Sequence, residues 1–323
     1  HALERVEGGA SRNRHPRLSV SARSFIILSV LSSLLAVGPL LAGAWVQPHR
    51  GYFFKVAPTY LHATEEFDHR GDRQVMQAEQ FASEDVAFTD FGIATYLEYG
   101  VRDEFTLVAQ LPFKAVRSER RLLIGGGRVR PSERLHTVGF GDLSLALRLS
   151  LSREPLASAL QVEIKIPSGY AAHPQDGPPL GSGELDGEVR FAIGKSLHPL
   201  PLYTSGELGY RRRGGDLNDE FLYAAEIGFS SGRLFFKLAV DGIRNTSTPP
   251  DIAGRTVVTP LPGGGGVVPE LIVGDQHITK LNPAFAYSLR PGLALQIEAL
   301  HAVAGTNSLA GTIYSLGILF TRK

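Results

Sequence analysis

The stretch Leu160-Gln161-Val162-Glu163-Ile164-Lys165-Ile166 alternates apolar and polar side chains without a break. In a β-strand successive side chains point to opposite faces, so Leu160, Val162, Ile164 and Ile166 share one surface and Gln161, Glu163 and Lys165 share the other. One surface suits hydrocarbon and the other suits water. Hydrocarbon offers the backbone no hydrogen-bond partners, so a chain that crosses it must pair every N–H and C=O internally, as a helix or as a barrel without edges. After residue 44 no segment has the roughly 18 consecutive apolar residues of a spanning helix. A membrane location for this chain therefore implies a β-barrel.

Working outward from that run, residues 45–323 divide into about twelve strands of similar character: 52–65, 90–101, 104–117, 137–150, 158–168, 183–196, 202–213, 220–229, 233–243, 277–289, 293–301 and 311–320. Each is long enough for the ~9–11 tilted residues that cross a bilayer. The links alternate in length. Arg102-Asp103, Ser152-Arg153-Glu154-Pro155, His198-Pro199-Leu200-Pro201, Ser230-Ser231-Gly232 and Arg290-Pro291-Gly292 are short and built of turn formers. Between them lie the longer segments 66–89, 118–136, 169–182, 214–219, 244–276 and 302–310. Tight turns at one end and long loops at the other is the asymmetry of bacterial outer-membrane barrels, and an even strand count puts both chain ends on the turn side. A soluble β-sandwich also has many strands, but it has no reason to sort its connections in this way and its strands are usually shorter. The fold class expected is all-β, a transmembrane antiparallel up-and-down barrel.

Residues 1–44 read as an N-terminal extension and secretory signal peptide. Arg12, Arg14, Arg17 and Arg23 precede an apolar stretch from Phe25 to Leu41, which ends in Ala42-Gly43-Ala44, a small-x-small cleavage site. The stretch is interrupted by Ser32, Ser33, Gly38 and Pro39, which disfavours a permanent anchor. Cleavage after Ala44 leaves 28 basic and 30 acidic residues. A near-neutral balance argues against duplex nucleic acid as a partner. The absence of Cys among 323 residues excludes thiolate nucleophiles, Cys-ligated zinc and iron–sulfur clusters.

The two faces carry different expectations. Aromatic residues at the headgroup levels are Tyr99, Phe105, Tyr203, Phe229 and Phe236 near the short turns, and Tyr60, Phe113, Phe140 and Tyr210 nearer the loops. Charges facing lipid would cost a few kcal/mol each near the midplane. The lumen is therefore expected to be lined by Glu98, Lys114, Arg148, Glu163, Lys165, Glu188, Arg190, Glu207, Arg211, Glu226, Lys237 and Glu298, with Asp142, Asp186 and Asp241 on the same parity. Two readings follow: a narrow aqueous constriction that sorts small solutes by size and charge, or an ion-pair network that closes the lumen of a non-conducting structural or adhesion barrel.

Several stretches carry a family resemblance. Phe91-Gly-Ile-Ala-Thr-Tyr-Leu-Glu-Tyr-Gly-Val-Arg-Asp-Glu-Phe-Thr-Leu107, Gly139-Phe-Gly-Asp-Leu-Ser-Leu-Ala-Leu-Arg148, Leu180-Gly-Ser-Gly-Glu-Leu-Asp186, Gly206-Glu-Leu-Gly-Tyr-Arg-Arg212 and Asp219-Glu-Phe-Leu-Tyr-Ala-Ala-Glu-Ile-Gly228 occur in order. Together they resemble the MetA-pathway of phenol degradation family of outer-membrane transporters. The resemblance implies passive passage of small organic compounds, aromatic ones included, without cofactor or catalytic residues. It departs at the end of the chain, where Phe320 is followed by Thr321-Arg322-Lys323 instead of closing the sequence on an aromatic residue.

Other motifs are weak. Lipid-hydrolysing barrels need a Ser activated by a neighbouring His; His62, His136, His277 and His301 fall at strand ends, Ser144 and Ser205 lie on strands, and no local His-x-Ser pair occurs. Asp216-Leu-Asn-Asp-Glu220 lacks the spaced ligands of a Ca²⁺ loop, and Gly263-Gly-Gly-Gly266 lacks the Lys-Ser/Thr of a phosphate loop. No metal or cofactor is expected. Arg211-Arg212-Arg213 sits where its strand leaves the membrane, near the level of lipopolysaccharide phosphates, and the expected partners are outer-membrane lipids, lipopolysaccharide and a small solute. The apolar parts of loop 244–276, Arg255-Thr-Val-Val-Thr-Pro260 and Gly266-Val-Val-Pro-Glu-Leu-Ile-Val273, are expected to fold into the barrel mouth.

Overall fold

A computed structural model describes residues 43–76, 83–124, 128–129, 133–171, 177–247, 256–259, 266–269 and 275–323. Its strands form a ring in chain order: β1 Tyr52–Ala63, β2 Ser83–Arg102, β3 Phe105–Ile124, β4 in two segments, Glu133–Phe140 and Leu143–Ser152, then β5 Ala157–Ile166 and β6 Asp186–Ser196. The ring continues through β7 Leu202–Arg212, β8 Glu220–Ser231, β9 Leu234–Asn245, β10 His277–Arg290, β11 Leu293–Thr306 and β12 Thr312–Arg322. Every neighbour pair is antiparallel, and β12 returns to β1 with Phe54 opposite Phe320. The sheet has no free edge. Closure of this kind satisfies the backbone where no water is at hand.

The exposed side of the ring is hydrocarbon-like. Val162 is 57% exposed and Leu208 is 70% exposed, and Leu107, Leu147, Phe191, Ile227, Leu238, Ile297 and Leu316 also face outward. Aromatic pairs flank this apolar band at both ends. Phe54–Phe320 and the Phe229–Phe236–Phe285 group lie toward the short turns, whereas Phe113–Phe140 and Tyr210–Phe221 lie toward the loops. Tyr203 does not belong to the outer belt. It is buried on the inner face with Phe53, Phe235 and Leu319.

Three boundaries differ from those read from the sequence. Strands β2 and β3 have 20 residues each and pair from Arg102↔Phe105 up to Ser83↔Leu122, so part of two segments assigned to loops is a strand ribbon. Strand β4 breaks at Gly141-Asp142, opposite Pro112, whose ring leaves no N–H for the ladder; the Gly141 N–H instead donates to the Pro112 carbonyl at 2.9 Å. In loop 244–276, Thr256–Thr259 pairs with Gly266–Pro269 as a two-stranded ribbon that matches the apolar segments to each other. Residues 248–255, 260–265 and 270–274 of that loop, residues 1–42 with most of the expected leader, and the Gly125–Gly127 run lie outside the described residues.

Candidate lumen site

The inner face is built by the even residues of β3 and β6 and the odd residues of β7, among others, and most of its charges are paired. Arg148 on β4 places Nη1 2.8 Å from Glu98 Oε1 on β2, with both side chains about 5% exposed. Its Nε donates to Gln161 Oε1 at 3.0 Å, and the Tyr96 hydroxyl donates to the same Glu98 oxygen at 2.6 Å. Lys165 Nζ lies 2.6 Å from Asp186 and 3.2 Å from Asp142. Glu188 is held between Arg190 and Arg211, and Arg211 also reaches Glu220 at 2.8 Å. On the other half of the ring, Lys55 pairs with Glu298 at 2.5 Å and Lys237 with Glu226 at 3.2 Å. Lys114 meets Asp90 at 3.4 Å, and Arg190 meets Glu207 at 3.7 Å.

The pairs of β2–β7 border a cavity of about 470 Å³. Of the twelve charged residues assigned to the lumen, Lys114, Arg148, Glu163, Arg190, Glu207 and Arg211 line it, together with Asp142 and the less polar Tyr96, Val108, Pro112, Ala146 and Leu180. Glu98, Lys165, Glu188, Glu226, Lys237 and Glu298 do not line it; they are the partners named above. The basic triplet is divided. Arg212 is exposed, whereas Arg213 is buried with Nη1 2.9 Å from Glu220, so one cation of the three faces outward and not a cluster.

The end of the lumen near the short turns is filled, and charge alternation alone did not disclose this. Residues 43–50 run across the inside of the ring as a strap. The Gly43 N–H donates to Glu207 Oε1 at 2.9 Å, the Gln47 N–H to Thr106 Oγ1 at 2.7 Å, and Gln47 Nε2 to Glu98 Oε2 at 2.7 Å. Arg148 Nη1 donates to the Trp45 carbonyl at 3.2 Å, and the His49 N–H to Asp103 at 2.8 Å. The Trp45 ring meets Tyr203 edge-on at 5.7 Å, and Tyr203 stacks on Phe235 at 6.2 Å. Phe53, Leu319, Ala286, Ala294 and Tyr96 complete this apolar layer. Two glycines make room: a Cβ on Gly194 would fall 2.4 Å from the Trp45 ring, and one on Gly228 would fall 2.0 Å from the Tyr203 ring.

On the loop side, the segment between β5 and β6 covers part of the cavity. Leu180 is buried over Gly139, where a Cβ would meet its Cδ1 at 2.9 Å, and it lines the cavity. Lys165 Nζ donates to Ser182 Oγ at 2.5 Å, the Gly183 N–H donates to the Tyr170 hydroxyl at 2.8 Å, and that hydroxyl donates to Asp142. Loop 213–219 is tied down separately. Asn218 donates to Asp275 from its backbone N–H and its side-chain amide, at 3.0 and 2.9 Å. The acidic residues of 216–220 are thus engaged with protein donors in part: Asp219 accepts from Tyr210 and Arg213, and Glu220 pairs with two arginines.

No family model matches this chain, and no curated protein matches it. Solved structures do. The COG4313 outer membrane channel from Pseudomonas putida F1 superposes with a TM-score of 0.60 at 14% identity, over 89% of this chain and 100% of that one. The toluene transporter TbuX of Ralstonia pickettii gives a TM-score of 0.44 at 8% identity, over 89% of this chain and 92% of that one. The CymD monoaromatic hydrocarbon channel gives 0.42 at 12%, over 85% and 89%. At these identities what is shared with the first of them is the fold, that of an outer-membrane β-barrel.

Proposed function

We propose that this protein is a bacterial outer-membrane channel through which small solutes pass without an energy source or cofactor. The observation that carries the reading is the closed ring, with an apolar skin outside and an ion-lined cavity of about 470 Å³ within. A cavity of that size accommodates a small organic molecule. The polar walls and the absence of a free sheet edge suit a solute path through a bilayer. The Pseudomonas putida F1 structure that shares this fold is itself an outer-membrane channel, and the sequence resemblance to the MetA-pathway of phenol degradation family agrees in kind. Small organic compounds, aromatic ones included, are the proposed solutes. Residues 1–44 are proposed to be a secretory leader removed after Ala44, so that the strap of the mature chain begins at Trp45. Outer-membrane lipids are proposed to meet the outer skin, and Arg212, the exposed cation of its triplet, is proposed to meet lipopolysaccharide phosphate.

The alternative is a barrel that conducts nothing, favoured by the dense pairing of Glu98, Arg148, Glu188 and Arg211 and by the strap across the turn end. Reconstitution into planar bilayers separates the two. Discrete conductance steps from purified protein support the channel; electrically silent insertion, with liposomes that admit no small solute, supports the structural barrel.

A further inference from the structure

The charges around the cavity are not equally committed. Each lining cation faces a carboxylate: Lys114 faces Asp90, Arg148 faces Glu98, Arg190 faces Glu188 and Glu207, and Arg211 faces Glu188 and Glu220. Lys165, deeper in the wall, is shared by Asp142 and Asp186. The carboxylates are less evenly served. In a chain cut after Ala44, Glu207 has only Arg190 among the described residues, at 3.7 Å. Glu163, at the centre of β5, has no cation within 4 Å among the described residues and accepts one hydrogen bond, from Gln161 Nε2 at 3.1 Å. It lines the cavity all the same.

A carboxylate in a narrow lumen with low-dielectric walls concentrates the opposite charge, and rings of Asp or Glu are how cation channels reject anions. Arg190 also feels Glu163, but it is in ion-pair contact with Glu188 and Glu207 and offsets Glu163 only in part. Beside Glu163 the wall presents Val108, Ala146, Tyr96 and Pro112, surfaces that suit a compact apolar body.

Resting on the channel reading above, we propose that the cavity selects cations over anions and takes small organic ammonium compounds, with Glu163 setting the preference. The ammonium group sits at Glu163 and the hydrocarbon part lies against Tyr96 and Val108. The test is the reversal potential of the reconstituted full-length protein. In a KCl gradient the wild type shows K⁺ preferred over Cl⁻, and Glu163→Gln lowers that ratio by a factor on the order of ten. Glu163→Asp, which keeps the charge, retains the preference. Benzylammonium in place of K⁺ carries current, whereas benzoate in place of Cl⁻, matched in shape and opposite in charge, carries little. Anion preference in the wild type, a ratio unmoved by Glu163→Gln in protein with the heat-dependent gel shift of a folded barrel, or equal passage of benzoate overturns the inference and leaves the channel intact. No conductance from any variant overturns the channel reading and this one with it.

Discussion

Arg148 Nη1 touches both Glu98 Oε1 at 2.8 Å and the carbonyl of Trp45 at 3.2 Å, so one guanidinium joins the barrel wall to the strap inside it. Glu98 also accepts from Tyr96 at Oε1 and from Gln47 at Oε2. The pair is nearly out of contact with solvent. Removing one partner from such a pair leaves an uncompensated buried charge and costs about 3–5 kcal/mol, whereas removing both costs much less. Arg148→Met is therefore expected to lower the stability of the folded barrel by that amount, and Glu98→Gln in the same chain to recover most of it. Urea unfolding from lipid vesicles measures both. Equal losses in the single and double variants would show that the pair contributes through something other than charge.

The strap narrows the turn end of the lumen by filling it with Trp45 and by covering Thr106, which has no exposure. Deleting residues 45–49 from the mature chain is expected to raise single-channel conductance and to lower the size discrimination of liposome uptake. The ring closes through β1 and β12 without any strap residue, and the heat-dependent gel shift checks that the cut chain still folds. Unchanged conductance would place the narrowest point elsewhere, at the Leu180 roof.

Much of the ring was legible because lipid imposes a rule that sequence has to obey residue by residue. The run from Leu160 to Ile166 lies in β5, and all twelve segments read from alternation contain or overlap a strand of the ring. The misreadings have a common physical origin. Alternation says which face a side chain takes and nothing about what the inner face meets, so Tyr203 was placed in the outer belt although it has the parity of Glu207 and Arg211. A finer pattern was available. At the turn end the ionic face of several strands becomes apolar: Phe53 precedes Lys55, Phe235 precedes Lys237, and Ala294 precedes Gln296 and Glu298. Inner positions next to tight turns that carry phenylalanine have to be covered from within, and the single tryptophan of the chain, seven residues before β1, is what covers them. The break in β4 was likewise written in the sequence, in Pro112 and Gly141, but its meaning depends on the register that sets them opposite each other.

The contact between Trp45 and Gly194 offers an optical test of the strap's position. A valine at 194 would drive its Cβ to 2.4 Å from the indole, a distance that requires the strap to move. Overpacking of this kind costs about 1–3 kcal/mol. Trp45 is the only tryptophan, so its emission reports the site alone. Gly194→Val is expected to shift that emission to longer wavelength and to increase quenching by acrylamide, with the barrel's heat-dependent gel shift kept. Identical emission in wild type and variant would mean that the indole does not rest on Gly194.

At the loop end, Tyr210 near the end of β7 and Asp219 in the loop that follows provide a pH-dependent contact. The Tyr210 hydroxyl donates to Asp219 Oδ2 at 2.5 Å, and the Arg213 N–H donates to Oδ1 at 2.9 Å. The tyrosine hydrogen bond is the larger influence and the backbone one the second; with Arg212 and Arg213 nearby they hold the Asp219 carboxyl below its ordinary value of 3.8. A carboxyl depressed in the folded state contributes its full share to the order of loop 213–219 above the ordinary value, and that share is lost as pH falls through the folded one. Tyr210→Phe removes the stronger donor, so the folded value rises toward the ordinary one and the loop is released at a higher pH. Pepsin, which is active in acid, reads the release as nicking within residues 213–219 of the detergent-solubilised protein. The onset of nicking is expected to move upward in pH in Tyr210→Phe, and Asp219→Asn is expected to be nicked at every pH at which pepsin works. If the onset is the same in wild type and Tyr210→Phe, the loop is held by Asn218 and Asp275 instead, whose two hydrogen bonds do not involve Tyr210.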